Sequence, residues 1–157
     1  MGKAIFLKAF ILSTIVLIVI NSCKKDDDFH QITSIEKQIH QKVNDYRVGE
    51  GLNALVFQPI LFREARAHST KITNGTIEPG YEGLDVVFDD LRSKLGSGDA
   101  GAIVKLTDLT NSHDIVELTK ENSLSDSIML GTFTQSGVGY VTKENINYIT
   151  ILFLDIP

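Results

Sequence analysis

The chain has a single cysteine, Cys23, so no intramolecular disulfide can brace it. Stability has to come from a packed core. The folded part expected below, about 125 residues, is long enough, since a domain of that size buries roughly two-thirds of its unfolded surface. Histidine is scarce too: His30, His40, His68 and His113 are the whole supply, and no two stand four apart on one helix. A metal site needs several imidazole or carboxylate ligands converging on one point, so neither a metal nor another cofactor is expected. Positive charge is in deficit. Fifteen lysines and arginines against 20 acidic residues give −5, which argues against nucleic acid as a partner and against electrostatic adhesion to anionic lipid. There is no internal repeat.

The long apolar run lies at the start. Lys3 and Lys8 lead into an apolar stretch over residues 9–20, closed by Ile20-Asn21-Ser22-Cys23. That is the layout of a secretory signal peptide over residues 1–22. The closing four residues resemble a bacterial lipobox, in which the cysteine becomes the first mature residue and carries the lipid. The run is short for a spanning helix, which needs roughly 20 residues. An uncleaved anchor is the alternative, kept open by Asn21, unusual in a lipobox. Loss of Lys3 and Lys8 takes the mature chain to −7, and a lipidated Cys23 leaves no free thiol for catalysis. Residues 23–32 read as a flexible tether, because charge-rich, apolar-poor segments do not fold. Their Lys24-Lys25-Asp26-Asp27-Asp28 also resembles a signal that sends lipoproteins of some Gram-negative bacteria to the outer face of the outer membrane; the periplasmic leaflet is the alternative.

Residues 33–157 are expected to form one domain. Thr33 and Glu36 have the spacing of a capping box, and Ile35, Ile39, Val43 and Tyr46 follow at helical intervals until Gly49 and Gly51 stop the helix. Pro59 suits the first turn of a second helix, Gly75 its end, and Leu61, Ala65, His68 and Ile72 share a face. Leu84, Val87, Phe88, Leu91 and Leu95 mark a third, ended by Gly96. Residues 102–106 make a short strand, and Thr110-Asn111-Ser112 caps a helix bearing Ile115, Val116, Leu118 and Thr119. The period then changes. Residues 133–141 and 146–156 flank Lys143-Glu144-Asn145, a hairpin with a turn of three to four residues. The last strand is apolar on both sides, with Tyr148 and Leu152 on one and Ile149, Ile151 and Phe153 on the other. Such a strand is covered on both faces, which predicts an α+β, three-layer α-β-α sandwich.

Three stretches also carry a family likeness. Asn44 and Arg47 spell N-x-x-R, Gly51, Leu52 and Leu55 follow, and residues 61–69 read L-x-x-x-A-x-x-H-S. Near the end, Phe133-Thr134-Gln135-Ser136-Gly137-Val138-Gly139 matches F-T-x-x-G-V-G. The set resembles the CAP superfamily of cysteine-rich secretory proteins, antigen 5 and pathogenesis-related proteins, in particular its short bacterial branch. The resemblance implies the same sandwich. It also implies a cleft with two histidines and two acidic residues, sometimes binding a divalent metal. Here the first histidine position falls on Gly80, one acidic position near Ala102, the second histidine on Leu124 or Ser125, and the tryptophan before it on Leu118. No catalytic residue and no metal ligand is therefore assigned.

Other constellations are no stronger. Ser123, Ser125 and Ser127 alternate with Leu124, Asp126 and Ile128 without forming a nucleophile elbow, and Gly137-Val138-Gly139 lacks the third glycine of a dinucleotide site, so close backbone packing is its expected role. A remnant cleft would comprise His68, Gly80, Tyr81, Glu82, Glu117 and Leu124. Against that, His68 suits a hydrogen-bonded packing role, Tyr81 and Glu82 an exposed loop, and Glu117 with Glu121 a solvated helix face. His40 is assigned to the polar side of the first helix and His113 to solvent. The function expected is a membrane-anchored, non-catalytic binding or envelope-interaction module with a protein, glycan or lipid partner. A hydrolase with a rebuilt cleft and a small-lipid or sterol carrier are the alternatives.

Overall fold

The computed structural model describes residues 31–96 and 98–156. The expected signal peptide, Cys23 and all but the last two residues of the tether lie outside them. The fold is carried by the compact unit Ile32–Pro157.

Helix α1 (Ser34–Gly49) opens on the expected capping box: the Glu36 amide donates to Thr33 Oγ1, and the Thr33 amide donates to the Glu36 carboxylate at 2.8 Å. A short β1 (Val56–Phe57) follows, then α2 (Pro59–Thr73) with its proline in the first turn. Helix α3 (Leu84–Leu95) ends on Gly96 at φ 65°, where a residue with a side chain would be strained. Next come β2 (Ala100–Thr107), α4 (Ser112–Lys120), α5 (Ser123–Met129), β3 (Gln135–Lys143) and β4 (Ile146–Leu154). The sheet runs β1-β3-β4-β2, with β1 parallel to β3 and the other pairs antiparallel.

Both faces of the sheet are covered. On one, Ile39 and Val43 of α1, Ile115 and Val116 of α4 and Met129 of α5 pack on Ile103, Val138, Ile149, Ile151 and Phe153. On the other, Leu61 and Ala65 of α2 with Leu84 and Leu91 of α3 pack on Ala102, Leu152 and Leu154. This is the α-β-α sandwich that the two apolar sides of β4 predicted. Gly137 and Gly139 set the depth at which α2 sits. A Cβ on Gly137 would lie 2.2 Å from the Phe62 nitrogen, and one on Gly139 2.2 Å from the Arg66 nitrogen. The two glycines therefore let helix and strand backbones touch, the packing role expected of them.

Four details differ from the sequence reading. Strand β2 is longer than 102–106, because its ladder to β4 extends from Ala100 to Thr107. The hairpin turn has two residues, Glu144 and Asn145, both at positive φ (52° and 64°), which matches the twist of the flanking strands. Residues 123–129 are a helix rather than an alternating segment: Asn122 accepts from the Ser125 amide and Ser127 donates to the Ser123 carbonyl, and seven residues are too few to show a period. Finally, β1 is only two residues long and gave no alternation to read.

Candidate functional site

Among the described residues His68 is the one fully buried imidazole, at 3 % exposure. It lies on the buried face of α2, where the spacing of Leu61, Ala65 and Ile72 carries it against β4. Nδ1 is 3.0 Å from Thr150 Oγ1, and Ser69 Oγ is 2.9 Å from the same hydroxyl. Three polar side chains thus share a buried seam between helix and sheet. Nε2 is buried too, without a hydrogen-bond partner among the described residues. Burial holds the His68 pKa below the ordinary histidine value; the Glu82 main chain pulls back part of that, and Lys71 pushes it down further. The ring is therefore neutral near pH 7. Ser69 and Thr150, both fully buried, are closed to any substrate.

Gly80, Tyr81 and Glu82 lie in the segment joining α2 to α3, and Glu82 is the one that comes up to His68. Tyr81 projects into solvent. Glu117 and Leu124 stand on α4 and α5, over the opposite face of the sheet, and both are exposed. Glu117 pairs with Lys120, whose ammonium sits 4.4 Å above the Tyr46 ring. The six positions are therefore not gathered into one cleft. Ala102 is buried in β2, and Leu118 is half-buried. Among the described residues, no three His, Cys, Asp or Glu side chains meet in a way that could hold a metal ion.

His40 requires a correction. Its ring stands edge-on to Phe57 with centroids 5.2 Å apart, and its Nε2 is buried. Strand β1, which the sequence did not disclose, brings Phe57 alongside, so α1 has no polar side at that position. Burial lowers the His40 pKa.

The residues holding the layers together were the ones the sequence hid. Glu36 is completely buried. Besides capping α1, its carboxylate accepts from the Tyr140 amide at 3.0 Å and from Arg66 Nε at 3.0 Å, with a second, shorter contact to the same guanidinium. One side chain of the α1 layer therefore grips α2 around the edge of β3, beyond the point where β1 stops. Asn44 exchanges two hydrogen bonds with the Leu55 main chain. Arg47 donates to the carbonyls of Asn53, Met129, Gly131 and Phe133. The N-x-x-R pair is thus a fastening for the loops before β1 and β3. Carboxylate and guanidinium are ordinarily surface groups, and the capping-box spacing was the only sign of what Glu36 does.

With that geometry in view, the class is clear: a four-stranded mixed sheet between two helical layers, the fold of SCP (CAP) domains. Solved structures share it. An outer surface protein of Borrelia burgdorferi superposes with a TM-score of 0.67 at 15% identity, covering 82% of this chain and 98% of that one. An extracellular protein containing an SCP domain from Bacillus anthracis gives 0.65 at 21% identity over 77% of this chain and 40% of that one. A cysteine-rich secretory protein from Staphylococcus aureus gives 0.62 at 17% identity over 77% and 38%. The chain thus spans well under half the length of the last two. No family model and no curated protein matches the sequence. At these identities the likeness is one of fold.

Proposed function

We propose that the chain is an envelope-anchored SCP-like module that binds a partner and performs no catalysis, held to a membrane by lipid on Cys23. The observation that carries this reading is the state of His68: its Nδ1 is spent on Thr150, and the hydroxyls beside it are sealed in the core. General acid–base or nucleophilic chemistry needs such groups within reach of a substrate. The descriptions of the Borrelia and Bacillus proteins as outer surface and extracellular support an envelope location.

Two measurements test the reading. Mass spectrometry of the native protein is expected to find the chain beginning at an acylated Cys23; an intact Met1 on a membrane-bound chain would sink the anchor. Cross-linking on intact envelope should then capture the same partner with wild type and with His68→Asn, a variant able to keep the Thr150 bond. Loss of capture together with turnover of the captured molecule by wild type would favour the enzyme instead.

A further inference from the structure

The two edges of the sheet are finished differently. At the β3 side the edge is covered by β1 and then by the Glu36 carboxylate on the Tyr140 amide. At the other side, among the described residues, β2 pairs only with β4. Which of its groups are left over follows from three hydrogen bonds. Asp155 donates to the Asp99 carbonyl and accepts from the Gly98 amide, whereas the Leu154 carbonyl accepts from Thr134 on the β3 side. Odd-numbered residues of β4 therefore turn their main chain toward β2, and by register so do Gly101, Ile103, Lys105 and Thr107 toward β4. The amides and carbonyls of Ala100, Ala102, Val104 and Leu106 face outward, and among the described residues nothing pairs with them.

Open edges are ordinarily guarded by proline, a bulge or an outward charge. Strand β2 has no proline, its register to β4 runs without a bulge, and its one charge, Lys105, is drawn back onto the Leu118 carbonyl at 3.3 Å. We propose that this edge pairs with β2 of a second copy, antiparallel about a two-fold axis at Ile103, to join two sheets into one.

The side chains select the partner and the register. Centring on Ile103 sets Leu106, which is 38 % exposed, opposite Ala100 of the second copy, and half-buried Val104 opposite its Ala102. Large lies against small on both sides of the axis. Lys105 falls opposite Gly101 of the second copy and diagonal to its exposed Asp99 on the same face, a separation that long side chains span. The axis repeats that pair of opposite charges. Centring on Val104 instead sets Lys105 against Ile103 and Asp108 against Ala100, with no ion pair. The four outward residues of each copy would exchange about eight main-chain hydrogen bonds. The proposal stands apart from the binding role above.

The test uses full-length protein solubilised in detergent. A zero-length carbodiimide is expected to join Lys105 to Asp99, and the linked peptide identifies the pairing. Within one chain these residues are six apart along a strand, about 20 Å, so such a link can only be between copies. Sedimentation should show dimers whose dissociation constant rises at least tenfold in Val104→Pro. That proline removes an outward amide and leaves the β2–β4 ladder intact, which circular dichroism verifies. The charge reversals Asp99→Lys and Lys105→Asp should each weaken the dimer and together restore it. A chain that stays monomeric from micromolar to near-millimolar concentration overturns the proposal, as does a dimer indifferent to Val104→Pro.

Discussion

Glu36 is asked to satisfy a helix cap, a guanidinium and a strand amide at once, with no access to water. Removing one member of such a set strands the others. Glu36→Ala should therefore cost about 3–5 kcal/mol, the range for breaking a buried pair, read as a lowered urea midpoint at unchanged slope. Buried His68 and half-buried His40 act differently. Each has a folded pKa below its ordinary 6.5, so as pH falls the unfolded chain takes up the proton first. Their contribution is complete above 6.5 and is lost as the pH drops below it. Melting temperature should accordingly fall between pH 7 and 5, and less steeply in His68→Asn. An unchanged slope in that variant would mean that the ring is not held neutral by its seam.

Elements whose sequence period matched their burial were legible. Helix α2 announced its buried face through Leu61, Ala65, His68 and Ile72, and β4 announced two covered faces by being apolar on both. Shorter elements left no such trace: α5 is fixed by the Asn122 cap, and β1 by main-chain bonds to Thr134 and Ser136 that no side-chain pattern encodes. The contact of α2 with β3 gives the sharpest test at this scale. Gly139→Ala drives a Cβ into the Ala65–Arg66 backbone, which has no rotamer to yield. It should cost ~3 kcal/mol or more, the upper end for overpacking. Gly49→Ala meets nothing within 4 Å and should stay within about 1 kcal/mol of wild type, on the stabilising side. Equal thermal denaturation curves for the two variants would refute the close packing.

For the molecule as a whole, the layers were readable and the candidate site was not. Gly80 and Leu124 entered the remnant cleft through a linear likeness, Tyr81 and Glu82 as neighbours of Gly80, and His68 and Glu117 through their helix faces; the chain puts Glu117 and Leu124 over one face of the sheet and His68 with Glu82 by the other. Thermal stability should consequently be indifferent to zinc and to chelator. A specific metal at a hundred times its dissociation constant would add ~2.7 kcal/mol to the folded state, an upward shift of several degrees that a melting scan would not miss. A saturable, His68-dependent rise would reveal a relocated site.

The Glu36 grip also decides how the domain bears load. Any pull on the chain ahead of Thr33 enters at the first turn of α1, and there the Thr33 amide and hydroxyl, the Arg66 guanidinium and the Tyr140 amide all converge on one carboxylate. Tension is thereby divided at once between both helical layers and the sheet instead of peeling α1 away turn by turn. Charge-assisted bonds are the stronger kind for such a fastening, and rupture under force follows the unfolding rate. In a single-molecule pull through the N-terminus, Glu36→Ala should give way at lower force than Asp45→Ala, a helix-surface variant of the same α1. Equal rupture forces would show that the load is carried elsewhere.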